Sequence, residues 1–180
     1  MFKESKCGLI VGRFQPIHEG HCNIIKKALS MCDKLIIVIG SMQESRTQRN
    51  PFTYEEREKF IRNIFYEEIR NDRMIVIGIP DRERPSNDSS WGVHLFNYIE
   101  EKLGCRPNII FEGQEGERAT WYDDLGEHIQ VHRVSRGLIP ISATKVREAI
   151  IKKDDYHYRQ WMPIALWWCF DDMREILLTV

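Results

Sequence analysis

The chain runs to 180 residues, 42% of them apolar and 11% aromatic, enough for one sizeable core with little room for a second domain. Lysine and arginine number 26 against 27 acidic residues, a net charge of −1. No overall field therefore holds nucleic acid by its phosphates, any anion site must be local, and no window approaches the roughly 20 apolar residues that span a bilayer.

The short run Leu9-Ile10-Val11 stops at Gly12-Arg13 and does not read as a signal peptide. Cys7, Cys22, Cys32, Cys105 and Cys169 form an odd set without a Cys-x-x-Cys pair. Several lie in apolar or helical stretches, which fits free thiols in a reduced, cytoplasmic compartment.

In chain order, residues 7–12 form the first apolar run, closed by Gly12. Residues 21–31 then place Ile24, Ile25, Ala28 and Leu29 on one helical stripe. A second run, 35–40, leads through a polar stretch to a helix predicted over 53–69. That helix opens with the capping box Thr53-x-x-Glu56 and carries Phe60, Ile61, Ile64 and Phe65 inward. The run 74–79 precedes a helix over 91–103 with Val93, Leu95, Phe96 and Ile99 on its apolar side. Runs 108–113 and 129–134 are the fourth and fifth. Ser142 is a candidate N-cap for a helix ending near residue 151, and Trp161 to Phe170 reads as a terminal helix packed on the core.

The first four runs are near-continuous rather than alternating, as in strands buried on both faces of a parallel sheet. Strands alternating with helices imply right-handed crossovers. The expected fold is α/β: a doubly wound, mostly parallel, five-stranded Rossmann-like sheet with a C-terminal helical segment. One unit is expected over 1–180, its core over about 1–150 and its C-terminal helices over about 151–180. The three long irregular stretches, 41–52, 80–90 and 113–120, all follow strands, and open α/β sheets bind ligands there.

The string Gly12-Arg13-Phe14-Gln15-Pro16-Ile17-His18-Glu19-Gly20-His21 joins the first strand to the first helix. His18 and His21, three apart, project from one side of the helix mouth. Gly20 leaves room for phosphates near the backbone, and the helix N-terminus adds unpaired N–H groups and a positive dipole end. The two histidines admit three roles: a cap with a surface neighbour, a metal pair, or a phosphate grip. A metal pair finds no cysteine or carboxylate partner at zinc spacing. The full string resembles the His-x-Gly-His signature of the nucleotidyltransferase α/β phosphodiesterase superfamily, and Gly-Arg-Phe-Gln-Pro is most similar to its archaeal-type nicotinamide mononucleotide adenylyltransferases. That resemblance implies an ATP site built from Gly12, Arg13, Phe14, His18, Gly20 and His21.

A second string, Ile141-Ser142-Ala143-Thr144-Lys145-Val146-Arg147, puts two cations where a helix dipole favours anions. Either both point into solvent, at a cost of a few tenths of a kcal/mol, or a phosphate chain lies between them and the serine and threonine hydroxyls. Ile-Ser-x-Thr-x-x-Arg resembles the superfamily's second signature. The resemblance implies that Ser142, Thr144 and Arg147 hold the β- and γ-phosphates, with Lys145 beside them.

Gly40-Ser41-Met42-Gln43, Arg49-Asn50-Pro51-Phe52-Thr53 and Glu56-Arg57 are similar to a pattern of the archaeal-type enzymes. There an arginine before Asn-Pro-Phe-Thr lies over substrate phosphates, a place that Arg49 occupies. Thr53 and Glu56 are accounted for by capping. The stretch from Asp81 through Asn87, Asp88 and Trp91 resembles the segment that receives the nicotinamide ring, with Trp91 as a stacking platform and Asn87 or Asp88 as the amide contact. Trp91 also reads as a core tryptophan. The match departs after residue 112, where the family's Ser-Gly-Asn-Pro is replaced by Gly113-Gln114-Glu115-Gly116-Glu117-Arg118. Ala119-Thr120-Trp121-Tyr122 is closer to the adenylyltransferase half of bacterial proteins that also carry a Nudix hydrolase, although no Nudix box is present.

The resemblance implies that ATP and nicotinamide mononucleotide are the partners, that the products are NAD and pyrophosphate, and that Mg²⁺ accompanies ATP. His18, His21, Arg13, Arg49 and Arg147 would stabilise the transferred charge. No protein cage for a metal is evident. Other phosphorylated acceptors, such as nicotinate mononucleotide or phosphopantetheine, cytidylyl transfer, and a regulator that binds nucleotide without turnover all remain open, as does a homo-oligomer.

Overall fold

The computed structural model describes residues 5–82, 90–114, 119–135, 137 and 141–180. Five strands, β1 (Cys7–Gly12), β2 (Lys34–Ile39), β3 (Met74–Gly78), β4 (Ile109–Gly113) and β5 (Gln130–Val134), form one sheet in the order β3-β2-β1-β4-β5. Every pairing is parallel, so the mostly parallel sheet expected from the sequence is parallel throughout. The chain moves outward on one side of β1, then crosses to the other at β4. That reversal opens a crevice at the carboxyl ends of β1 and β4.

β2 shows why these runs are strands. Leu35 through Ile39 are wholly buried, yet alternate residues serve different layers. Leu35, Ile37 and Ile39 join one core with α1 (Glu19–Leu29), α2 (Tyr54–Ile64) and the C-terminal helices. Ile36 and Val38 join a second core with Leu95, Phe96 and Ile99 of α4 (Ser90–Leu103).

Two expectations are corrected. The helix over 53–69 is two helices, α2 and α3 (Tyr66–Arg70). Phe65 leaves the helical region (φ −114°, ψ 39°) and is buried in the core, whereas none of the five α3 residues is. The Trp-rich segment is not one terminal helix: after α5 (Ala143–Ile151), α6 (Asp155–Trp161) stops before Pro163. A 3₁₀ turn then spans Ile164–Cys169, and α7 (Phe170–Leu178) follows. Proline removes a backbone donor where the helix would continue, and the tighter turn buries Leu166 and Cys169 while Trp168 stays exposed beneath the Lys59 ammonium.

Candidate active site

Two adjoining cavities open at the carboxyl ends of the strands. The larger, about 650 Å³, is lined by Gly12, Arg13, Phe14, Gln15, His18, His21, Arg49, Trp121, Ser142, Thr144 and Arg147 among others. The smaller, about 480 Å³, is bounded by Gly40, Ser41, Glu44, Asp81, Arg82 and Trp91. Val11, Gly12, Arg13, Arg49 and Trp121 wall both.

The loop after β1 is folded back on itself. Phe14 adopts a positive φ of 50°, and its ring lies so close over Gly12 that an added Cβ there would meet it at 3.0 Å. A side chain at position 12 would therefore have to displace the Phe14 ring by a few tenths of an ångström. The Gln15–Pro16 peptide is cis. His18 is the N-cap of α1 in extended backbone, and its N–H donates to His21 Nδ1 at 3.3 Å. The two imidazoles lie 3.8 Å apart, centroid to centroid, and both line the larger cavity. Capping and site roles coexist: accepting at Nδ1 leaves a neutral His21 with its proton on Nε2, which makes a donor for an anion.

On the opposite wall Ser142 caps α5 by accepting from the Lys145 N–H at 3.3 Å. Arg147 donates to the Gln15 carbonyl at 2.8 Å and to Thr144 Oγ1 at 3.4 Å. Burial, with Arg49 nearby, pulls the Arg13 guanidinium below the usual arginine range. Burial and Arg13 do the same to Arg147. Arginines stay charged regardless, so like charges crowd one cleft, and an anionic ligand would relieve the crowding.

Not every expected residue reaches a cavity. Gly20 is buried inside the first turn of α1, and Lys145 is exposed on α5; neither lines either space. Asn87, Asp88 and residues 115–118 lie outside the described residues. Trp91 is buried and also walls the smaller cavity, so its core and platform roles are compatible. Asp81 is held by Gln43, whose Nε2 donates to Oδ2 at 3.2 Å while its Oε1 accepts the Asp81 N–H at 3.0 Å. Thr53 and Glu56 form the expected capping box.

Sequence reasoning missed three contributors. Trp121 packs edge-on against Trp91 at 5.1 Å and faces both cavities. Gln15 and Arg57 bind backbone rather than ligand. All three stood inside strings singled out in the sequence, but nothing local distinguishes them from surface residues.

Residues 9–149 match the model of the cytidylyltransferase-like family. The nicotinamide-nucleotide adenylyltransferase of Thermococcus kodakarensis is 32% identical over 152 residues, covering 84% of this chain and 76% of that protein. The Pyrococcus horikoshii protein of the same name is 43% identical over 144 residues, covering 80% and 72%. Among solved structures, a Francisella tularensis bifunctional NMN adenylyltransferase/ADP ribose pyrophosphatase complexed with AMP and a manganese ion superimposes with a TM-score of 0.66 at 23% identity. The match covers 82% of this chain but only 42% of that one, and it shows likeness of fold.

Proposed function

This chain belongs to the cytidylyltransferase-like family, among the nicotinamide-nucleotide adenylyltransferases, and from that premise we propose that it transfers the adenylyl group of ATP to nicotinamide mononucleotide, giving NAD and pyrophosphate. The observation that carries the reading is the pair of cavities meeting at Arg13 and Arg49. One is walled by histidines, hydroxyls and arginines suited to a triphosphate. The other offers tryptophans and a fixed carboxylate to a flat cationic ring.

A 5′-phosphate oxygen of nicotinamide mononucleotide attacks the α-phosphorus of ATP. The new P–O bond forms as the bond to the β-phosphate oxygen breaks, and its electrons leave with pyrophosphate. The attacking phosphate is already anionic, so no general base is needed. Catalysis consists of holding the reactants in line and neutralising charge as it develops. His18 and His21 face the transferred group, Arg13 and Arg49 clamp phosphates at the junction, and Ser142, Thr144 and Arg147 receive the leaving pyrophosphate. Mg²⁺ would enter with ATP as part of the substrate and would offset phosphate charge as it develops. Among the described residues no three His, Cys, Asp or Glu side chains group to hold an ion. Five free cysteines, four of them buried, support a cytoplasmic setting.

Incubation with ATP, Mg²⁺ and a panel of phosphorylated acceptors tests the reading by pyrophosphate release and NAD formation. Turnover is expected with nicotinamide mononucleotide. Pyrophosphate release only with phosphopantetheine or another acceptor, or nucleotide binding without turnover, overturns it.

A further inference from the structure

Arg57 is wholly buried in the first turn of α2. A guanidinium taken out of water is costly unless its donors are met. Here they are met by main-chain oxygens. Nε donates to the Thr53 carbonyl at 3.1 Å, Nη1 to the Arg13 and Gly40 carbonyls at 3.0 and 2.8 Å, and Nη2 to the Ser41 carbonyl at 3.0 Å.

Those acceptors have a common position. The Gly40 N–H still bonds the Gly12 carbonyl at 3.0 Å, and there the β1–β2 ladder runs out. The carbonyls of Arg13, Gly40 and Ser41 are the next in line, beyond the reach of strand pairing. Phe14 and Ser41 both sit at φ 50°, a left-handed backbone that non-glycine residues adopt only when their surroundings hold them. Arg57 thus ties together the two segments that leave the central strands. One carries Arg13 and leads to His18; the other borders the smaller cavity at Gly40 and Ser41.

We propose that Arg57 is a positioning residue for the transfer reaction: a buried cation that fixes the Arg13 loop against the Gly40–Ser41 segment and so sets the alignment of acceptor and triphosphate. The proposal rests on the function proposed above. A planar guanidinium reaches carbonyls on three sides, whereas an ammonium of the same charge presents one compact donor group. Lysine therefore keeps the charge and loses the geometry.

The test is Arg57→Lys, assayed for kcat and for each KM beside the parent enzyme. Folding is checked by circular dichroism, and the active fraction by nucleotide titration. A misplaced reactant costs on the order of 10-fold or more in turnover. The variant is expected to lose at least that in kcat and to raise the KM for nicotinamide mononucleotide several-fold. The KM for ATP should rise less than the acceptor KM, because His21, Thr144 and Arg147 of the larger cavity stand on α1 and α5, helices to which the Arg57 guanidinium is not bonded. A folded Arg57→Lys with kcat and acceptor KM within about twofold of the parent overturns the proposal. So does a kcat loss that matches the active fraction with both KM values unchanged. A parent that releases no pyrophosphate sinks the function instead. Should the lysine variant not fold, the parent labelled with ¹⁵N-arginine decides the matter. The protected Arg57 Nε–H resonance is expected to shift on saturation with nicotinamide mononucleotide or ATP, and a resonance unmoved by both overturns the proposal.

Discussion

The side-chain amide of Gln15 clasps the backbone of Phe52 from both sides. Its Nε2 donates to the Phe52 carbonyl at 3.0 Å, and its Oε1 accepts the Phe52 N–H at 2.9 Å. The Gln15 carbonyl in turn receives Arg147. One residue thereby joins the loop after β1, the end of the Arg49 loop, and the guanidinium on α5. Gln15→Ala leaves a buried donor and acceptor unpaired, a loss of about 2 kcal/mol that lowers Tm by roughly 4–8 °C in a chain of this size. Differential scanning calorimetry checks the shift. An unaltered Tm means the clasp is not retained in solution.

His21 caps with Nδ1, and in the proposed reaction its Nε2 would face the substrate, so the two contributions can be separated. His21→Asn keeps a short polar group near the His18 N–H and removes the outer donor. We expect kcat to fall about 10²–10³-fold, the usual consequence of losing one donor to developing charge, with little change in the KM for ATP. Steady-state kinetics across ATP concentrations decides it: a rise in KM at constant kcat would assign His21 to ground-state binding alone.

A Cβ at position 92 would meet the Trp121 carbonyl oxygen at 2.2 Å. Backbone must therefore move in Gly92→Ala, and Trp121 moves with it. The expected result is a destabilisation of about 1–3 kcal/mol and a weaker acceptor site, seen as a several-fold higher KM for nicotinamide mononucleotide. If the acceptor KM of a folded Gly92→Ala matches the parent, Trp121 is not part of that wall.

Burial alone would raise the Glu56 carboxyl, but the bonded Arg46 guanidinium and Thr53 N–H outweigh it and hold the group below its ordinary value of 4.5. A carboxyl lowered on folding adds stability that is fully present above its unfolded value and is lost as pH falls through the folded one. Arg46 also bonds the Pro51 carbonyl at 2.9 Å, so the same pair braces the loop carrying Arg49. Glu56→Gln should flatten the fall of Tm with pH below the ordinary carboxyl value while leaving the profile near neutrality parallel to the parent's. An unchanged acid limb contradicts this.

What the sequence disclosed and what it withheld divide by range. β1 was legible to the residue because its apolar run is closed by Gly12, and the other strands came within one residue of the expected ends. The caps within the two signature strings were legible because they are built from near neighbours. Arg57 was not. A cation in a first helical turn reads as a surface residue, and three of its acceptors lie 16–44 residues away. Trp121 was equally hidden, since its partner Trp91 stands on α4, on the far side of β4 in the chain. The break at Phe65 follows from core shape rather than helix propensity. Lys145 is exposed on α5 and lines neither cavity, a placement its charge in the motif did not disclose.

Arg13, Arg49 and Trp121 each border both cavities, so neither substrate meets a wall that is wholly its own. A nucleotide that ordered these side chains on arrival would leave them set for the second. Thermodynamic reciprocity requires that whatever factor ATP applies to affinity for the mononucleotide, the mononucleotide applies to affinity for ATP. A dinucleotide product bound across that shared wall would exclude each substrate in turn, which would let the reaction's own output restrain it at both doors.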